Sequence, residues 1–267
     1  MKKTLLAIAI SSAAVAAHAD YQFEAGLSYG QGEVSIGNAE SDYDTTGVAG
    51  RFHFEMVNTS KGPQAEAAFL SKSSSVGFAW DNEDIDEAPD DEDEFAFDVR
   101  VVTANNLIVQ AAYSEADDGD DTSDTISIGL GTYLNASTDL VVSFETEDDD
   151  GENTDELSIE LHNVTALTQG ASVAYDASVA YVDSDALDDS GYLLAAGATY
   201  YVNNSLGFGI AAMVGEVGDL EVDGVAVSAS YFPQPNIELT ASYTDVSADG
   251  PQDFEQDGFE VGAALRF

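Results

Sequence analysis

Most of this chain alternates apolar residues with small or polar ones. The alternation runs for about ten residues at a time from residue 21 to the end and then breaks, as in LIVQAAYS at 107–114. A period of two over such a window predicts a β-strand with one apolar face, and no helical period follows residue 19. The pattern predicts an all-β fold of about fourteen strands, or 12 or 16 if segments are merged or split. They lie near 21–30, 46–57, 64–80, 94–103, 107–114, 125–134, 139–146, 156–164, 171–182, 191–202, 206–215, 222–232, 237–245 and 258–267.

The breaks between these strands alternate between two kinds. One kind is short and nearly uncharged, as in NTSKGP at 58–63, NAST at 135–138 and PQPN at 233–236, and is typical of hairpin turns. The other kind is longer and acidic, and its seven members hold 41 of the 51 acidic residues: 33–44, 81–94, 114–124, 145–156, 183–190, 216–223 and 245–257. Every second connection of an up-and-down meander lies at the same end. We therefore expect an acidic end and, opposite it, a turn end that also carries both termini.

Outside the acidic segments, the charged residues of the strands whose alternation is clear fall opposite the apolar face. The acidic ones are Glu24, Glu55, Glu66, Asp98, Asp139, Glu160, Asp176, Glu238 and Glu260, and the basic ones are Arg51, Arg100 and Arg266. A basic residue facing lipid at mid-depth costs about 2–4 kcal/mol, and an acidic one somewhat less. A soluble β-sandwich or β-helix, the alternative, would instead show charges of mixed sign on its outer face. The pattern favours a closed antiparallel up-and-down transmembrane β-barrel, which leaves no unpaired edge in lipid.

Tyrosines on the apolar faces support the same interpretation. They lie mostly towards strand ends, where a barrel carries its aromatic girdles: Tyr21, Tyr29, Tyr113, Tyr175, Tyr181, Tyr192, Tyr200 and Tyr243.

The first 19 residues have the features of a secretory signal peptide. Lys2 and Lys3 precede a short apolar stretch, and Ala17-His18-Ala19 fits an A-x-A cleavage site. We expect 1–19 to be the signal peptide and 20–267 to be one barrel domain. Removing the leader leaves five basic residues against 51 acidic ones, a field that excludes nucleic acid and anionic membrane surfaces as partners. The sequence has no cysteine, and no other apolar run is long enough for a transmembrane helix.

The C-terminal stretch DGFEVGAALRF ends on an aromatic residue, with apolar residues at alternate positions before it. This ending resembles the barrel-assembly signal of Gram-negative outer-membrane proteins, here carried by Phe259, Leu265 and Phe267. Together with the leader and the phased strands, it makes the whole mature chain similar to the general bacterial porins. The resemblance implies the outer membrane, its lipid, periplasmic chaperones and the barrel-assembly machinery as surroundings and partners. It implies passive diffusion of small hydrophilic solutes as the function.

General porins also imply features that this sequence does not carry. They are usually longer, with sixteen strands, a homotrimer, and a third loop that folds inward with a Pro-Glu-Phe-Gly-Gly-like stretch. No such stretch is present here. This sequence therefore has no motif that would extend the constriction loop or the homotrimer of the general porins to this chain.

The residues opposite the apolar face are the candidate pore lining. They are Glu24, Arg51, Glu55, Glu66, Lys72, Asp98, Arg100, Glu160, Asp176, Glu238, Glu260 and Arg266. Because carboxylates outnumber cations among them, we expect a water-filled, cation-preferring channel. An Asp98–Arg100 pair could set a transverse field at a narrow point. The alternative is a non-conducting surface barrel whose acidic segments bind cations or mediate adhesion.

Catalysis and dedicated cofactor or metal binding have little support. The mature chain has two histidines, His53 and His162, both facing inward by parity, and no serine in a recognisable nucleophile motif. DDDGENTDE at 148–156 lacks the spacing of an EF-hand calcium loop. We therefore expect no enzyme activity, no cofactor and no specific metal site.

The segment 64–80 breaks the pattern. Its apolar parity shifts between Phe69 and Val76 across SKSSS, which requires a bulge or an inward bend. An inward bend would be a candidate constriction.

Overall fold

The computed structural model describes residues 20–37, 39–86, 91–117, 119, 122–149, 151–185, 187–250 and 253–267. The expected signal peptide, with Ala17 and Ala19, lies outside the described residues. Fourteen strands are present: β1 Tyr21–Ile36, β2 Ala39–Val57, β3 Ser75–Ile85, β4 Glu92–Val102, β5 Leu107–Asp117, β6 Thr122–Tyr133, β7 Thr138–Asp149, β8 Glu152–Ala166, β9 Ser172–Ser184, β10 Asp189–Asn203, β11 Leu206–Val217, β12 Leu220–Gln234, β13 Ile237–Asp249 and β14 Phe254–Arg266.

These strands close into one barrel. Each strand pairs antiparallel with its neighbours in the chain, and β14 pairs with β1 from Glu24 opposite Arg266 to Ile36 opposite Phe254. The predicted up-and-down barrel of fourteen strands is confirmed, rather than one of 12 or 16. Both described ends of the chain lie at the turn end.

The outer face of the barrel is apolar, as the alternation predicted. Large apolar side chains are exposed on it all around the barrel, for example Leu130, Ile210 and Val225. Tyr192 and Tyr200 are both exposed on β10 and eight residues apart, which is roughly 26 Å along a strand. Because the strands of membrane barrels tilt by about 35–45°, the two rings lie about 20 Å apart across the membrane, within an apolar band that is about 25 Å tall.

Tyr21 is an exception to the predicted tyrosine placement. It is only 2% exposed, and its ring meets that of His53 edge-on at 5.5 Å. The pairing of β1 with β2 shifts between Tyr21 and Phe23, and the backbone N–H groups of Gln22 and Phe23 both donate to the carbonyl of Phe267. This irregularity reverses the parity of the strand, so Tyr21 turns inward.

The acidic segments predicted as loops are mostly strand. For example, β1 and β2 extend to Ile36 and Ala39, and β7 and β8 extend to Asp149 and Glu152. Connections at the acidic end are therefore short. The two ends of the barrel differ because the strands have acidic extensions at one of them. Strands can extend beyond the lipid because a β-ladder pairs backbone N–H and C=O groups in water as well as in lipid.

The segment between β2 and β3 folds inward rather than forming strand and turn as predicted for 64–80 and 58–63. It contains a 3₁₀ turn at Thr59–Lys61 and the short helix α1, Ala67–Ser71. The helix ends at Lys72, whose φ of 56° is left-handed and whose N–H donates to the Phe69 carbonyl. We call residues 58–74 the inward segment. None of the helices among the described residues is long and apolar enough to cross a membrane.

Candidate functional site

The inward segment crosses the opening at the turn end. Glu66 is its main anchor: its carboxylate accepts from the Tyr201 hydroxyl on β10 at 2.7 Å and lies 3.0 Å from His162 Nε2 on β8. The ring of Phe69 lies 4.2 Å from that of His162 and 5.3 Å from that of Tyr133 on β6. One helical turn therefore contacts three strands at once.

Both flanks of the helix are tied to other parts of the wall. On one side, the Gln64 carbonyl accepts from Arg266 on β14 at 2.9 Å, and its N–H donates to the Asn204 carbonyl at 2.8 Å. On the other side, Lys72 Nζ donates to Asn106 Oδ1 at 2.8 Å and lies 4.5 Å from the centre of the Tyr133 ring. The segment thus narrows the lumen, as an inward bend would.

Arg266 is the centre of a buried charge cluster where β14 meets β1. Its guanidinium donates to Glu24 at 2.8 Å and to Glu238 at 2.9 Å, and the rings of Tyr21 and Phe232 lie against it. Its side chain is only 5% exposed. The cluster joins the first and last strands through side chains as well as backbone.

His53 links this cluster to the inward segment. Its Nδ1 lies 3.0 Å from Ser73 Oγ and its Nε2 lies 2.8 Å from Glu24 Oε1. The arrangement contains the groups of a Ser-His-acid triad, but Ser73 is buried and Glu24 is also bound to Arg266. These contacts tie Ser73 of the inward segment to β1 and β2, so they hold the segment in place.

The two remaining arginines are paired across strands rather than as expected. Arg51 on β2 binds Asp98 on β4 through two hydrogen bonds of 2.8 Å, and Arg100 binds Asp139 on β7 and Gln110 on β5. The predicted Asp98–Arg100 pair is wrong. Gly77 lies between Arg51 and Asp98 in the register, and a side chain there would collide with both. Its absence allows Arg51 to reach across β3.

The other predicted lining residues are less tightly held. Glu55 accepts from the Ser74 N–H at 3.3 Å, and Asp176 binds His162. Glu160 contacts the hydroxyls of Ser143 and Ser158, each at 3.5 Å. Glu260 borders a small cavity that is lined mainly by β1, β2, β13 and β14. Of all the predicted pore-lining residues, Glu66 and Lys72 belong to the inward segment instead of a strand.

A cavity of about 900 Å³ lies next to the inward segment. One part of its wall is charged and comes from β1, β2, β4, β7, β8, β9, β13 and β14. The other part, on β10 to β12, has uncharged and mostly small side chains, and it includes Ala195, Gly197, Gly209, Ala211 and Ser228. A second space of about 410 Å³, nearer the acidic end, is bordered by Glu94, Asp98 and Glu145 among others.

At the acidic end, like charges face each other across strands. Asp44 is opposite Asp84, Asp124 is opposite Asp148, and Asp245 is opposite Asp257. Such pairs repel. The pKa of Glu33, which lies beyond Tyr29 and outside the apolar band, is raised mainly because the Glu40 carboxylate is near. Among the described residues, no group of three His, Asp or Glu side chains is placed to hold a metal ion.

Sequence reasoning missed the inward tyrosines Tyr133 and Tyr201, which bind the inward segment. Parity could have found them. Tyr133 has the same parity as Gly129 and Gly131, and Tyr201 has the same parity as Gly197. These glycines lie opposite the apolar faces of their strands, so the two tyrosines point inward as well. The expected assembly-signal residues lie on the last strand or just after it: Phe259 is exposed on the outer face, Leu265 has the same parity, and the Phe267 ring stacks on Phe23 at 5.6 Å.

Known proteins share this architecture. The family model described as "Putative general bacterial porin" matches residues 1–191. The crystal structure of the Acinetobacter baumannii outer membrane protein Omp33 is similar, with a TM-score of 0.64, 19% identity, and coverage of 93% of this chain and 99% of that one. A bacterial polysaccharide outer membrane secretin gives a TM-score of 0.58, 12% identity, and coverage of 92% and 99%. No curated protein matches the chain significantly by sequence.

Proposed function

Because the chain belongs to the family described as "Putative general bacterial porin", we propose that it conducts small cations and small hydrophilic solutes by passive diffusion. The protein is a porin-type β-barrel of the outer membrane of a Gram-negative bacterium. Beyond the family and the fold, we propose that the preferred ions are cations and that the permeating solutes are small.

The pairing of the basic residues carries the cation preference. All three arginines of the chain are bound to carboxylates, and the described lysines, Lys61 and Lys72, belong to the inward segment at the turn end. The outer extensions of the strands carry acidic residues and no basic ones. A passing ion therefore meets a potential that is negative along its path, which concentrates cations and repels anions.

The inward segment supports the restriction to small solutes. Its contacts with Arg266, Tyr201, His162 and Tyr133 span the turn end, so a solute must pass through the space left beside it. In this proposal the turn end faces the periplasm and the acidic end faces the outside. Solutes would enter between acidic strand extensions and leave past the inward segment.

The inward segment is also the reason to consider a second function, that of a barrel that does not conduct. If it closes the turn end completely, the protein is a non-conducting barrel whose acidic end serves surface contacts or cation capture. Conductance separates the two functions directly.

Planar-bilayer recording with purified protein under a KCl gradient tests the proposal. We expect discrete conductance steps and a reversal potential of the sign set by K⁺ permeation. A bilayer given detergent alone is the control. Absence of conductance would favour the non-conducting barrel, and a chloride-selective reversal potential would refute the cation preference.

A further inference from the structure

Five carboxylates border the cavity of about 900 Å³, and four of them contact a basic partner. Glu24 and Glu238 bind Arg266, Asp139 binds Arg100, and Asp176 binds His162. The fifth, Glu160, has no basic partner among the described residues. Its contacts are the hydroxyls of Ser143 and Ser158.

The surroundings of Glu160 leave its charge uncompensated. Hydroxyl groups at 3.5 Å orient a carboxylate weakly but do not neutralise it. The side chain is exposed on the inner face of β8. The part of the cavity wall on β10 to β12 consists mostly of alanine, glycine and serine, with Thr199 and Ile210, so it adds no charge and leaves space for a hydrated ion.

From this asymmetry we infer that Glu160 is a specificity-determining residue of the channel, because it is the carboxylate of this cavity that has no basic partner among the described residues and is exposed on the inner face. The inference rests on the proposed function and names the residue that produces its ion preference. The paired arginines are not selective for anions, because each guanidinium already faces a carboxylate. The ligand class is small cations, either monovalent metal ions or organic ammonium groups.

The lack of cysteine in the chain allows a test in which one variant carries three different charges. Glu160→Cys removes the charge, a sulfonate-bearing methanethiosulfonate reagent restores a negative one, and a trimethylammonium-bearing reagent adds a positive one. We expect the K⁺/Cl⁻ permeability ratio to fall about threefold in the unmodified variant, because one charge a few ångströms from a hydrated ion acts with an energy near RT. The sulfonate should restore the ratio and the ammonium should lower it further.

Thr165→Cys is the matched control. Thr165 lies on the same strand five residues away, exposed, with the parity of the outer face and outside the acidic extensions, so the same reagents should leave the ratio unchanged. Glu160→Gln, of nearly equal size, provides a second neutral variant should the cysteine variant not fold. Equal ratios for both labelled forms of Glu160→Cys, with labelling verified by mass spectrometry and a conducting wild type, would overturn the role of Glu160 and leave the proposed function intact. A wild-type protein without conductance would overturn both.

Discussion

Individual buried charges in this barrel are stable only because their partners come from distant parts of the chain. Arg266 binds Glu24 and Glu238 from the two strands that flank β14, and the Tyr21 and Phe232 rings cover its remaining surface. A buried ion pair adds little net stability over an apolar replacement, yet removal of one partner leaves an uncompensated charge. The closure of the barrel is therefore sensitive to single changes at this cluster.

Arg266→Ala should destabilise the barrel by about 3–5 kcal/mol, because it leaves Glu24 and Glu238 buried without their cation. Urea unfolding in detergent micelles or lipid vesicles measures the loss. The triple variant Glu24→Gln, Glu238→Gln, Arg266→Met removes all three charges together and should be less destabilised than the single variant. A single variant as stable as the wild type would show that the cluster does not hold the closure.

Sequence parity predicts the direction of a side chain but not its partner. The inward directions of Arg51, Asp98 and Arg100 follow from alternation alone. The pairing of Arg51 with Asp98 depends on the register of three strands and on Gly77 between them, and an isolated sequence contains no such register. The same limit explains Tyr21, whose direction is reversed by a backbone irregularity that involves the other end of the chain.

Among the secondary-structure elements, the inward segment departs furthest from the pattern. Its sequence showed a break in parity, which correctly indicated a bend, but α1 has only five residues and cannot show a helical period. Its stability comes from contacts with the barrel wall rather than from intrinsic helix propensity. Glu66 makes two of these contacts, because one carboxylate serves both Tyr201 and His162.

Glu66→Ala should loosen the inward segment while the barrel stays folded. Loss of the carboxylate removes the acceptor for the Tyr201 hydroxyl and the partner of His162, which costs the docked segment about 1–3 kcal/mol. We expect a larger and noisier single-channel conductance and faster hydrogen exchange in residues 64–74. Glu145→Ala, which removes another lumen carboxylate but no contact of the inward segment, should raise neither the conductance nor the exchange rate. The idea would be contradicted if the two variants conducted alike.

For the whole molecule, the strand count was predictable because each hairpin in an up-and-down barrel is a local structure with its own alternation and break. The length of the strands was not. In the acidic segments the hydrophobic contrast is lost, since carboxylates occupy positions on both faces, yet the ladders continue, as in β7 and β8 up to Asp149 and Glu152. The membrane selects apolar outer faces only within its own thickness, so hydrophobicity marks where a strand leaves the lipid and not where it ends.

Closure of the whole barrel brings the last residue against the first strand. The Phe267 carbonyl accepts from the Gln22 and Phe23 N–H groups, its own N–H donates to the Phe23 carbonyl, and its ring stacks on that of Phe23. The backbone bonds do not require an aromatic side chain, so Phe267→Ala should refold in detergent with only a modest loss of stability. If the terminal aromatic is read by the barrel-assembly machinery, as we propose, the same variant should accumulate severalfold less in the outer membranes of cells.

Tyr231→Ala is the control for this prediction. Tyr231 is an exposed aromatic residue on β12 near the turn end, so its removal takes away an aromatic ring at the same end of the barrel but leaves the last residue unchanged. Quantitative blotting of outer-membrane fractions, set beside the yield of refolding in detergent, separates assembly from stability. Equal losses in cells for the two variants would mean that aromatic anchoring alone explains the effect, and the terminal residue would then have no special role in assembly.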